Sequence, residues 1–158
     1  MSTEAIHAGW DPAADGHRAL TPPVHTASAY AQTSHAALKA LFQRRGSGFA
    51  YSRSGNPTTA VLEQRITALE RGIGAIAVAS GQAATTIALY ALAAPGGHVV
   101  ASSRLYGGTT ELLDDTLAEA GVRCTLADPW DLEAWEAAFT ADTRAAIVES
   151  IANPGAQL

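Results

Sequence analysis

The chain has 158 residues, with ten Lys and Arg against fifteen Asp and Glu, a formal charge of −5 and acidic residues scattered along its length. This excludes the basic face that nucleic-acid binding needs; one cysteine, Cys124, excludes an intramolecular disulfide, and no apolar stretch approaches the ~20 residues of a membrane span. The first ten residues, with Glu4 and His7, have no signal-peptide pattern, so the expectation is a cytoplasmic protein long enough to bury its own core.

Residues 1–57 hold most of the turn-forming dipeptides, among them Asp11-Pro12, Pro22-Pro23 and Asn56-Pro57, and one short helical candidate at 35–44. They are read as an N-terminal arm. From residue 58 the pattern becomes an alternation of helices and strands. The helix predicted at 60–71 places Val61, Leu62, Ile66 and Leu69 on one face, behind Pro57 and before Gly72. A short apolar run at 75–79 predicts a buried strand. Helices at 83–93, 110–120 and 132–139 then alternate with strands at 98–101, 122–126 and 145–149. Such alternation predicts an α/β domain with a parallel sheet and right-handed crossovers over 58–158. Four strands are a small sheet, or equally the first half of a larger one.

In an open α/β sheet, ligands sit beyond the carboxyl ends of the strands. Ser80-Gly81-Gln82 joins a strand to a helix there, so the first free amides of that helix face a possible anion such as phosphate; an ordinary Ser-capped helix entry has the same sequence. Leu105-Tyr106-Gly107-Gly108-Thr109 puts an aromatic ring beside two glycines, where a planar heterocycle could stack or the ring could pack on its own domain. Tyr51-Ser52-Arg53 offers a hydroxyl and a guanidinium suited to phosphate, or simply a solvated loop. Glu149 and Asn153 lie at the end of the last strand and in its loop. The five histidines show no metal spacing, and neither a Gly-x-Ser-x-Gly elbow nor a phosphate-loop lysine occurs.

Taken in order, Ile6-His7-Ala8-Gly9, Pro22-Pro23, Tyr51-Ser52-Arg53 with Asn56-Pro57-Thr58, Leu69-Glu70, Ser80-Gly81-Gln82-Ala83-Ala84, Tyr106-Gly107-Gly108-Thr109 and Glu149-Ser150 with Asn153-Pro154 resemble the motifs of the trans-sulfuration enzymes. These are the Cys/Met-metabolism group of pyridoxal-phosphate (PLP) enzymes, with the aspartate-aminotransferase-like fold. The resemblance implies that the amides of Gly81 and Gln82 hold the cofactor phosphate, that Tyr106 stacks on the pyridine ring and assists proton transfer, and that Asn153 lies near the ring's phenolic oxygen. It implies that Tyr51 and Arg53 reach the phosphate of a neighbouring subunit, in a homodimer whose pairs form tetramers. The motifs are most similar to the O-acetylhomoserine sulfhydrylase branch, which implies γ-replacement of acetate by sulfide to give homocysteine. Cystathionine γ-synthase and methionine γ-lyase chemistry remain alternatives within the family. Outside it, the alternatives are a non-catalytic α/β module that binds a phosphorylated ligand and a truncated gene product.

Three family positions find no match here: the lysine that bonds the cofactor, the aspartate at the pyridine nitrogen and the arginine for the substrate carboxylate. Nine of the ten basic residues are Arg, and the one lysine, Lys39, lies in the arm and matches no motif lysine. The expectation is therefore an N-terminal part of such an enzyme, catalytically incompetent alone, with an unpaired sheet edge and exposed apolar faces.

Overall fold

The computed structural model describes residues 2–43 and 45–158. The chain forms two compact units that meet in sequence at Ala77 and Val78.

The first unit is built from caps and turns. Helix α1 spans Ser2–His7, α2 His35–Phe42 and α3 Pro57–Leu69, with a 3-10 turn at Pro12–Ala14. The helix predicted at 35–44 thus ends at Phe42, and Arg44 lies outside the described residues. Each start has a side-chain cap: Asp11 accepts from the amide of Ala13, Ser34 from Ala37 and Asn56 from Thr58. Pro57 stands in the first turn of α3, where its missing N–H is no loss. Helix α1 packs on α3, and Arg65 Nε donates to the carbonyl of Ala8 at 2.9 Å. Gly9 makes this crossing possible, because it adopts φ +79° and a Cβ there would lie 2.6 Å from the Val61 carbonyl oxygen. Asn56 organises the rest: its Nδ2 lies 3.0 Å from the His25 carbonyl, the Tyr30 hydroxyl and Ser52 Oγ. An isolated antiparallel bridge pairs Ala29 with Tyr51. No described residue of this unit is buried.

The second unit holds the sheet. Helix α4 (Gly81–Ala93) leads to β1 (His98–Ser102). A helical run of α5 (Gly107–Glu111), a π turn (Leu112–Thr116) and α6 (Leu117–Glu119) leads to β2 (Arg123–Ala127), and α7 (Leu132–Ala138) leads to β3 (Thr143–Ile147). The three strands are parallel in the order β2-β1-β3, which bears out the predicted α/β class. Side chains of β1 alternate between two apolar layers. Val99 and Ala101 join Leu89, Leu113, Leu117 and Val122 on one side, and Val100 meets Ala127 and Ala138 on the other. The π turn closes with the amide of Leu117 donating to the carbonyl of Leu112, a wider turn that keeps both leucines in the core.

One predicted strand is absent. Residues 75–79 pair with no strand among the described residues, and Ile76 is 80% exposed. A run with no neighbour in the ladder cannot be a strand, however apolar it is; the Ala77 amide donates instead to Glu63 Oε1 at 2.9 Å. Among the described residues the sheet therefore has three strands rather than four, and β3 stands at one edge.

Candidate cofactor-phosphate site

The site lies at the carboxyl ends of the strands in the second unit. Beyond β1, Ser102 Oγ accepts the amide of Arg104 at 3.0 Å, and the amide of Ser103 donates to the carbonyl of Ala127 at 2.8 Å. Leu105 is buried in the main core, which anchors the loop and turns the next residue outward. Tyr106 caps α5 through its backbone, its carbonyl accepting from the amides of Thr109 and Thr110, while its side chain is 53% exposed. The ring lies against Gly108: a Cβ at that position would sit 2.7 Å from Tyr106 Cε1 and 3.2 Å from Gln82 Nε2. A side chain there would push the ring or the Gln82 carboxamide aside.

Across from this loop, Ser80 caps α4, its Oγ accepting from Ala83 at 3.1 Å and its carbonyl from the amide of Ala84. The amides of Gly81 and Gln82 precede any intrahelical acceptor and stay free for an anion. The first turn of α4 contains no acidic residue, and nothing lies within 4 Å of the Cβ position at Gly81. The Gln82 side chain bridges to the aromatic loop, Nε2 donating to the Gly108 carbonyl at 2.7 Å and Oε1 accepting from the Thr109 hydroxyl at 3.4 Å.

The exit of β3 closes the group. The amide of Asn153 donates to the carbonyl of Arg104 at 3.4 Å, which brings the Asn153 loop to the loop of Tyr106. Glu149 Oε1 accepts the Tyr106 amide at 2.7 Å. Gly81, Gln82, Tyr106 and Asn153 are therefore linked within one unit. Glu149 is the contributor that the sequence motifs left without a role, although it stood among them and at the end of the last predicted strand. Tyr51 and Arg53 belong to the first unit, where the Arg53 guanidinium carbon stands 5.0 Å from the centroid of the Tyr51 ring, both residues exposed.

Free amides on a helix start without acidic neighbours, open space at Gly81 and an exposed ring on an adjoining loop fit a phosphorylated planar group such as PLP. Among the described residues, no cluster of His, Cys, Asp and Glu could hold a metal, and no helix is long and apolar enough to cross a membrane.

The family model for Cys/Met metabolism PLP-dependent enzymes matches residues 2–158. The chain belongs to this family. Its relatives include an O-acetyl-L-homoserine sulfhydrylase of Corynebacterium glutamicum, 41% identical over 100% of this chain and 36% of the relative. An L-methionine gamma-lyase of Pseudomonas putida is 40% identical over 98% of this chain and 38% of its own length. A Campylobacter jejuni structure described as an O-acetylhomoserine (thiol)-lyase superposes with a TM-score of 0.90 at 35% identity, covering 99% of this chain and 38% of that one. That structure carries N′-pyridoxyl-lysine-5′-monophosphate at its position 205. The chain thus has the fold of part of a PLP-dependent family enzyme and spans little more than a third of the length of these relatives.

Proposed function

We propose that this chain supplies the phosphate cradle and the aromatic ring cover of a PLP-dependent γ-replacement enzyme that converts O-acetyl-L-homoserine and sulfide to homocysteine and acetate. The observation that carries the reading is the juxtaposition of the free α4 amides with the exposed Tyr106 ring, joined by the Gln82 side chain. The choice of reaction is supported by the 41% identity to the Corynebacterium glutamicum sulfhydrylase. A cystathionine gamma-synthase of Mycobacterium bovis is also 41% identical and the gamma-lyase 40%, so those related reactions form the second reading.

The residues divide the work. Amides of Gly81 and Gln82 hold the phosphate oxygens, assisted by the positive end of the α4 dipole. Tyr106 covers one face of the ring, excludes water from it and presents its hydroxyl for proton transfer at the leaving group. Asn153 orients the ring through its phenolic oxygen. PLP, when bound, supplies the electron sink for the bonds that change in the amino-acid substrate. Tyr51 and Arg53 serve the phosphate bound by a neighbouring subunit in a homodimer, within a tetramer; the exposed guanidinium on a surface loop supports this role. The compartment proposed is the cytoplasm.

The only lysine, Lys39, lies in the last turn of α2 in the first unit, so the chain alone is proposed to bind the cofactor without bonding to it and to be inactive. Calorimetry should then show pyridoxal phosphate and pyridoxamine phosphate binding with similar affinity, and borohydride should fix neither. A borohydride-stable adduct in the pocket, or homocysteine formed by the chain alone, would overturn the inactive reading. Failure to bind either cofactor form would remove the PLP reading in favour of a module for another phosphorylated ligand.

A further inference from the structure

The loop that carries Tyr106 is held by its backbone rather than by its ring. On one side the Glu149 carboxylate accepts the Tyr106 amide at 2.7 Å, a charge-assisted bond to an N–H that precedes α5 and has no helical acceptor. On the other, the Gln82 carboxamide donates to the Gly108 carbonyl at 2.7 Å and accepts from Thr109. Between these two points the ring lies against Gly108, where a Cβ would displace it, and Tyr106 stays 53% exposed. Gln82 serves twice over, because its backbone is part of the α4 anion cradle and its side chain sets the distance from that cradle to the aromatic loop.

We infer that Gln82 and Glu149 are positioning residues that clamp the Tyr106–Thr109 loop from two sides, so that the ring stands at a fixed distance from the phosphate cradle. The relevance of the clamp to catalysis rests on the proposed PLP reading; its existence does not. Neither side chain needs to touch the reacting atoms. Each acts by keeping the aromatic cover from swinging away from the plane it is to meet.

The test uses amide hydrogen exchange by NMR on the intact, cofactor-free chain, followed by calorimetry with inorganic phosphate and with pyridoxamine phosphate. Glu149→Ala should speed exchange at the Tyr106 amide by about tenfold, the scale of a lost hydrogen bond to a charged acceptor. Glu149→Gln, which retains an accepting oxygen, should restore most of the protection. Gln82→Met, close to glutamine in shape, should speed exchange at Thr109 and Thr110 while leaving Ala83, on the Ser80 cap, unchanged. It carries the test if Glu149→Ala fails to fold. Both clamp variants should lose more affinity for pyridoxamine phosphate than for inorganic phosphate, since only the former needs the ring cover. Unchanged exchange in the variants, or an equal loss for the two ligands, would overturn the clamp. A wild-type chain that binds phosphate but discriminates against pyridoxamine phosphate would instead overturn the PLP reading, with the exchange pattern still deciding the clamp.

Discussion

The two units reach order by different means. In the second, β1 is buried along its whole length, with Val99, Val100 and Ala101 fully enclosed between two apolar layers. In the first, no described residue is buried, and the chain is held by helix caps, the Asn56 hub and a bridge between Ala29 and Tyr51. The lesson concerns what each can carry. In the second unit the loop of Tyr106 starts from buried Leu105 and is tied by Gln82 and Glu149, although Tyr106 itself is exposed; in the first, the loop of Tyr51 and Arg53 has no buried residue beneath it.

The contrast is most easily broken at its strongest point. Leu113 is 1% exposed in the main core, so Leu113→Ala should cost about 2–5 kcal/mol through lost transfer energy and a cavity. Leu62, on α3, is 52% exposed, and Leu62→Ala should cost less than about 1 kcal/mol. Urea unfolding of the two variants compares them directly. Equal losses would mean that the first unit has a core after all.

A middle-sized effect should separate the two kinds of order. Asn56→Ala removes the cap of α3 and the contacts to His25, Tyr30 and Ser52 at once, at a cost of about 1–2 kcal/mol. Its signature is local: amide exchange should rise at Tyr30 and Ser52, which bond to Ala50 and Ser28, and stay unchanged on β1. A matching rise on β1 would show that the units unfold as one.

Much of this was legible in the residues. Pro57 and Ser80 signalled that helices begin nearby, because capping is a local interaction between neighbours in sequence, although α3 and α4 start at Pro57 and Gly81 rather than at the predicted 60 and 83, and Asn56, predicted as a turn residue, is a cap. The strands at β1, β2 and β3 were visible as apolar runs between turns, although β3 begins two residues earlier than its apolar run suggested. The run at 75–79 misled, since apolar composition identifies a segment that could be buried but not whether a neighbouring strand is there to receive it. The π turn at Leu112–Thr116 was hidden for a similar reason: core packing, not propensity, selects it. At the proposed site, Gly81, Gln82, Tyr106 and Asn153 were singled out from the order of the motifs along the chain, and the structure brings their loops together. The bridge from Gln82 to Gly108 and the bond from Tyr106 to Glu149 span 26 and 43 residues, separations across which no periodicity speaks.

The smallest effect probes how far the core of the second unit reaches toward its edge. Cys124 lies on β2 beside the main core, and burial, with a lesser contribution from the charge of Asp114, pushes its thiol from the ordinary 9.0 up to about 11. Because the folded chain holds this proton more tightly than the unfolded one, the contribution to stability is constant below pH 9 and is lost as pH rises from 9 toward 11. At pH 8 the thiolate fraction in the folded chain should be about a hundredfold below that in the unfolded chain, and alkylation by iodoacetamide correspondingly slow. Asp114→Asn removes only the lesser cause, so it should move the labelling curve slightly toward lower pH and leave most of the protection in place. Labelling of the folded chain at the unfolded rate at pH 8 would show that β2 opens readily, and the division between a buried unit and a polar one would then have to be drawn inside the sheet itself.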